Sequence, residues 1–337
     1  MMTLKEFSAA CGLSPSTVSK ALNGYPDISE ETRSFVREKA AQLGYHPNAL
    51  ARGLKSGRTW NLGVLYTDAT DSGFTHNYFS PVLEAFKSEA EKHGYDITFI
   101  TNRHHNAKMT YLEHCMVRNL DGICIVNAFF DDPEVVQLIQ SSLPLVTIDH
   151  IFNNRSCIQS CNREGMTELV RYVAQMGHKR IAYIHGEMIP VTEVRLTSFL
   201  HAMMEAGLQM PDEYLVDGRF HNPEAAREAT KRLLQLKNRP TCIFMPDDYA
   251  ALGGMEAIRE AGLKIPDDIS VVGYDGVPLL QLCSPRMTTM HQDTATIGRE
   301  AALQLIRLIE QPKTTLQEVI TVPSKLWAGE TVCPITD

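Results

Sequence analysis

The 337-residue chain has little of what several large classes of protein require. No apolar run approaches the roughly 20 residues of a membrane-spanning helix, and the first residues lack the succession of charge, apolar core and small residues that marks a secretory signal. A cytoplasmic protein with no membrane partner is expected, which also counts against a secreted solute-binding protein. The eight cysteines, at 11, 115, 124, 157, 161, 242, 283 and 333, form no C-x-x-C pair. They read as reduced, small residues rather than as a disulfide framework. His104, His105, His114 and Cys115 cluster without a recognised ligand spacing, so no metal is expected. Neither G-x-G-x-x-G nor a P-loop occurs, and there is no G-x-S-x-G elbow. No cofactor and no enzymatic activity are expected.

Charge is the first positive signal. Residues 1–60 hold four Lys, four Arg and five acids, a net +3, whereas the whole chain carries −8, leaving −11 on the other 277 residues. Positive charge is therefore concentrated in one small segment, and the acidic remainder disfavours a second nucleic-acid surface.

That segment reads as three capped helices. Thr3 with Glu6 three residues later makes a capping box, and Leu4, Phe7 and Cys11 line one face. Gly12 stands at the turn, Ser14 caps the next helix and Pro15 takes its first position, where a missing N–H costs nothing. Val18, Ala21 and Leu22 form the buried side. Ser16, Thr17, Ser19 and Lys20 form the other, short hydroxyls and one cation able to reach base edges or phosphates in a major groove. Ser29, Glu30 and Glu31 start a third helix, whose Phe35, Val36, Ala40 and Leu43 are expected to complete a small core. An ordinary three-helix bundle fits this pattern equally well. The next segment separates the readings: Pro47 opens a helical stretch through Asn48, Ala51, Arg52 and Leu54 of only about two turns, marginal in isolation. Leu54, flanked by Arg52, Lys55 and Arg58, suits a wedge entering base pairs from the minor groove, with cations on nearby phosphates.

TVSKALNG, a third helix ending LGY, and Y-x-P-N-x-x-A-R-x-L occur in this order. The region resembles the N-terminal domain of the lactose-repressor and galactose-repressor family of bacterial transcription regulators. The resemblance implies that Pro15, Ser16 and Lys20 read bases from the second helix, that Thr17 and Ser19 lie beside them, and that Leu54 intercalates. Thr3, Ser14, Asn23, Asn48, Ala51, Arg52 and Lys55 complete the implied DNA-facing set. Ser8 and Cys11 stand where alanine is commoner, and Pro15 offers no side-chain donor.

From Trp60 the pattern changes to strands alternating with helices. NLGVLY, YDITFI, DGICIV, PLVTID, RIAYIHG, CIFMPD and ISVVGYD read as buried parallel strands, separated by amphipathic stretches from PVLEAFKSEAEKHG to IGREAALQLIRLIEQ. This makes a doubly wound α/β architecture, better divided into two units than one. GHKRIAYIHG, R-L-x-x-F from Arg195, PDDYAALGGMEAIREAGLKIPDDISVVGYDG and MTTMHQD extend the family resemblance, which implies a periplasmic-binding-protein-like body with three crossings between subdomains. The expected division is a helix-turn-helix head over 1–46, a hinge helix and linker over 47–59, and an effector-binding and dimerisation body over 60–337. Within the body, subdomain 1 takes about 61–160 and 290–320, and subdomain 2 about 161–289 and 321–337.

Ligands in such folds bind beyond the carboxyl ends of the strands. Asp275 ends ISVVGYD and suits either ligand hydroxyls or a turn. Arg195, read as beginning a helix, would hold ligand oxygens with Asp275 holding its fork, or face solvent. Of Asp247 and Asp248, one caps the next helix and the other points into the cleft; the family has Asn at the first place, so Asp247 favours a donor-rich or cationic ligand. Asp149 is similarly placed. Of the loop aromatics Phe74, Tyr78, Phe79, Phe129, Phe220 and Tyr249, two or three suit stacking on a sugar or purine, with Phe74, Tyr78 and Phe220 foremost. The expected partners are double-stranded palindromic operator DNA, a second copy of the chain in a homodimer or tetramer, and a small molecule. A sugar or sugar derivative is the first expectation for that molecule and a purine-type or other small metabolite the alternative, acting as inducer or corepressor of what is expected to be a repressor.

Overall fold

The structure, a computed structural model, describes residues 2–46, 58–68, 72–104 and 107–335. They fall into two compact units, divided between Trp60 and Asn61.

The first unit contains α1 (Leu4–Cys11), α2 (Pro15–Leu22) and α3 (Glu30–Leu43). The Thr3 N–H donates to Glu6 Oε2 at 2.8 Å while the Glu6 N–H donates to Thr3 Oγ1 at 3.3 Å, closing the capping box. Gly12, at φ 67°, ends α1 in the left-handed conformation that glycine adopts without strain. Phe7, Cys11, Val18, Ala21, Val36, Ala40 and Tyr45 form the core. Three expected core residues are corrected: Leu4, Phe35 and Leu43 are 37%, 45% and 40% exposed. Val36 and Ala40, one turn apart, make a narrow seam that leaves Phe35 on its flank. Gly44, at φ 61°, then turns the chain so that Tyr45 rather than Leu43 covers Phe7, ring centroids 4.1 Å apart and nearly coplanar.

The second unit runs β1 (Asn61–Tyr66), α4 (Phe79–Lys92), β2 (Asp96–Phe99), a small antiparallel pair β3 (Arg103–His104) and β4 (Ala107–Lys108), α5 (Tyr111–Arg118), β5 (Gly122–Asn127), α6 (Pro133–Gln140), β6 (Leu145–Ile148) and β7 (Ser156–Ser160). It continues through α7 (Asn162–Gln175), β8 (Ile181–His185), α8 (Pro190–Glu205), β9 (Leu215–Asp217), α9 (Pro223–Leu234), β10 (Cys242–Phe244), α10 (Asp248–Glu260), β11 (Ser270–Asp275) and β12 (Thr288–Gln292). It closes with α11 (Thr294–Glu310), β13 (Val319–Val322) and β14 (Ser324–Trp327).

Two six-stranded sheets result, ordered β13-β7-β6-β5-β1-β2 and β14-β12-β11-β10-β8-β9. Pairing within them is parallel except between β12 and β14. The chain passes between the sheets at Cys161, Asp293 and Pro323. Met290–Gln292 therefore belong with the second sheet, and Thr321 and Val322 with the first, two or three residues beyond the boundaries that the family resemblance implies. The sheets and their covering helices are called here the first and second lobes. Near-continuous apolar runs such as ISVVGYD are buried on both faces, as strands sandwiched between helices must be. No helix among the described residues is long and apolar enough to cross a membrane.

Candidate DNA-reading face and effector cleft

In the first unit, α2 has Pro15 at its first position and Ser14 as its cap, with the Thr17 N–H donating to Ser14 Oγ at 3.0 Å. The Ser14 and Thr17 hydroxyls share a hydrogen bond of 2.8 Å, so the cap occupies part of their capacity. Pro15 and Ser16 are exposed, and Thr17, Ser19 and Lys20 half-buried. Lys20 forms an ion pair with Asp27 from the turn before α3. Asn23 Nδ2 donates to the Ser19 carbonyl at 2.7 Å and closes the helix end. The expected reading residues thus share one short helix, while Thr3 serves chiefly as the cap of α1. Asn48, Ala51, Arg52, Leu54 and Lys55 lie outside the described residues.

In the second unit the strand ends gather buried and half-buried charge. Asp149 follows β6 at φ 56°, and Asp275 ends β11 at φ 109°, both in a region that strains a residue bearing Cβ. Such strain persists where surrounding structure enforces it, often at functional sites. The Tyr78 hydroxyl donates to Asp149 Oδ2 at 2.5 Å, and the Ser160 N–H to Asp149 Oδ1 at 3.1 Å. Arg195 lies in the second turn of α8 rather than at its start, because Pro190 opens the helix. It is only 4% exposed. Its Nε donates to Asn162 Oδ1 at 2.8 Å, and its guanidinium carbon sits 3.6 Å from the centroid of the Tyr274 ring. Among the described residues it forms no ion pair with Asp275, contrary to the expected fork. Asp275 Oδ1 instead accepts from Gln292 Nε2 at 2.6 Å. The terminal nitrogens of Arg195 carry no hydrogen bond to any described residue, so both groups retain capacity for a ligand.

Burial pushes the carboxyl groups of Asp149, Asp247 and Asp275 above the usual range, and Asp247 reinforces the effect on Asp275. Burial pulls Arg195 the other way, but Tyr274, Asp275, Tyr183 and Asp149 outweigh it and hold the guanidinium charged. Burial, aided by Asp149, lifts Tyr78 well above a free phenol.

Neither member of the Asp247–Asp248 pair points freely into the cleft. Asp247 caps α10 through the Ala250 N–H at 2.7 Å and accepts the His221 N–H at 2.6 Å. Asp248 is fully buried and accepts the Val277 N–H at 2.7 Å, steadying the turn after Asp275; burial pushes it up to about 7. Phe74 is not brought to these groups: it is 63% exposed and packs on Phe99 and Tyr66. The short helical turn Gly73–Thr75 directs it outward. Phe220 is half-buried, with its ring centroid 6.0 Å from the Arg195 guanidinium.

Sequence reasoning missed the residues that hold the site. Ser160, Asn162 and Gln292 each bond one of its charged groups, and each lies beside a crossing between lobes. It also missed His76 and His221, whose rings stack with centroids 4.1 Å apart.

The two units each match a known family. Residues 3–48 match the bacterial regulatory proteins of the lacI family, and residues 170–332 match a periplasmic binding protein-like domain. The transcriptional repressor PurR of Pasteurella multocida is 32% identical over 317 residues, covering 92% of this chain and 93% of its own. The probable repressor ExuR of Bacillus subtilis is 30% identical over 325 residues, 95% of each chain. The lac repressor dimer solved with operator and the anti-inducer ONPF shares the fold, with a TM-score of 0.81 over 98% of this chain and 99% of that one at 24% identity. On these matches along nearly its whole length, the chain belongs to the lacI family of bacterial regulatory proteins.

Proposed function

We propose that this protein is a transcriptional repressor that binds a palindromic operator as a homodimer and answers to a small neutral, donor-rich molecule in the cleft of its body. The observation that carries the reading is the pairing of buried Arg195 with half-buried Asp275, each with unused hydrogen-bonding capacity and each tied to a residue beside an interlobe crossing. A ligand held by these two from the second lobe that also reaches Tyr78 and Asp149 of the first engages groups that separate when the lobes move, which is the differential contact that a regulator needs. Three aspartates beside one guanidinium, Asp247 buried and Asp149 and Asp275 half-buried, disfavour a carboxylate or phosphate effector. Sugars and nucleosides, rich in hydroxyl and amide donors, fit.

In the head, Pro15, Ser16, Thr17, Ser19 and Lys20 on α2 are proposed to read the major groove, with Leu54 as the minor-groove wedge and Arg52 and Lys55 on phosphates. Support for a homodimer comes from the second lobe. Leu252, Leu279 and Leu282 are exposed beside a groove of about 290 Å³ lined by Met255, Leu280 and Met287, an apolar face of the kind that subunits cover.

The test is selection of bound sequences from random DNA by the full-length protein, followed by thermal-shift screening with neutral sugars, nucleosides, hexuronates and sugar phosphates. A palindromic consensus, with stabilisation by a neutral compound that is lost in Asp275→Ala, is expected. Absence of sequence preference, or turnover of the stabilising compound, overturns the reading.

A further inference from the structure

His76 lies on the segment before α4, in the first lobe, whereas His221 follows β9 and Tyr249 stands in the first turn of α10, both in the second. Their rings make one column across the cleft. His76 and His221 are 4.1 Å apart at 16°, and His221 and Tyr249 are 4.1 Å apart at 15°. Each histidine is fixed from its own lobe. His76 Nδ1 accepts the Tyr78 N–H at 3.2 Å and the Phe79 N–H at 3.5 Å, which in the neutral ring places the proton on Nε2. His221, at φ 51°, is held through its N–H by Asp247. Each also adjoins a cleft residue, His76 two places before Tyr78 and His221 directly after Phe220.

We propose that this column is the clasp that holds the two lobes together over the effector, and that it forms only while both imidazoles are uncharged. Two parallel rings in van der Waals contact attract when neutral, whereas a proton on either leaves a poorly hydrated charge in the contact and protons on both add repulsion. The carboxylates that face them act in one direction. Asp68, after β1, and Asp247, at the start of α10, favour protonation, and Tyr78 with its bound Asp149 lies beyond His76. Burial outweighs them, assisted at His76 by the neighbouring His221; His76 is held down at about 4 and His221 is lowered. An open cleft returns His76 towards an ordinary value near 6.5. The open form then binds the proton that the closed form excludes. Closure is therefore favoured above that value and weakens by up to about tenfold per pH unit as pH falls towards 4.

The clasp regulates the cleft of the proposed function and rests on that reading, but its test does not use DNA or effector. Histidine-selective NMR titration of the full-length wild type, His221→Ala and His221→Phe follows the His76 ring directly. The expected result is a His76 midpoint well below 6.5 in the wild type, still depressed when Phe covers it, and returned towards 6.5 in His221→Ala. A wild-type midpoint near 6.5 shows that the rings do not meet in solution. An unchanged midpoint in His221→Ala shows that its own lobe alone depresses His76. Either result overturns the clasp, while operator selection by the same wild-type protein reports separately on the regulator.

Discussion

The head and the body use charge in opposite ways. On α2 the reading side chains are exposed or half-buried, and the one cation, Lys20, rests on Asp27 until something better displaces it. In the body Arg195 is buried, Asp149 and Asp275 are half-buried and strained in backbone, and residues beside the crossings hold all three. The difference follows from the two targets. A DNA backbone is met at a wet surface, where binding releases counterions; a small molecule must be enclosed, and its few polar contacts gain strength from exclusion of water.

The sharpest way to break that contrast is salt. If the head makes the six to ten phosphate contacts typical of such domains, raising salt from 50 to 200 mM should lower operator affinity by about 10³-fold or more, whereas affinity for a cleft ligand should change by less than about twofold because buried groups are little screened. Fluorescence anisotropy and calorimetry measure the two, and equal slopes would erase the distinction. Next in size, Arg195→Ala should cost the body about 3 kcal/mol in urea unfolding, because Asp149 and Asp275 lose their buried cation. Loss below about 0.5 kcal/mol, within the range of an ordinary surface change, would mean that the guanidinium is not the hub of the site. Lys20→Ala sharpens the head: a changed consensus worth about 1–3 kcal/mol at one base pair marks base reading, and a uniform loss marks a phosphate contact. The smallest effect is expected for Ser14→Ala, about 1 kcal/mol from the cap of α2, seen in the unfolding of the head and absent from that of the body.

How legible each region is in the sequence follows from the range of its contacts. The head's caps join residues three apart, Thr3 with Glu6, Ser14 with Thr17 and Ser29 with Thr32, so pattern reveals them. Its core departs from the pattern at Leu4, Phe35 and Leu43, the last where the chain turns back and Tyr45 covers Phe7 instead. In the body, strands such as ISVVGYD announce themselves by apolar residues, but SCIQS of β7 does not. Its Ser156 is buried because Gln304 and Gln317, far along the chain, satisfy its hydroxyl. Strand-end position points to Asp149 and Asp275, and an expected helix start to Arg195, which lies instead in the second turn of α8 and bonds Asn162. Asn162 and Gln292 carry no local signal, since their importance comes from where the chain crosses between lobes. Phe74 is singled out as an aromatic in a loop after a strand, yet the ring that stacks on the second lobe is His76, two residues on.

The central claim is that occupancy of the cleft alters operator binding by the head. Its most direct test is the affinity of full-length protein for its selected palindrome, measured by anisotropy with and without the neutral compound that stabilises the body. A change of at least about tenfold, equivalent to about 1.4 kcal/mol of coupling, is expected in the wild type and should vanish in Asp275→Ala. Saturating binding of the compound with no change in operator affinity would contradict the account.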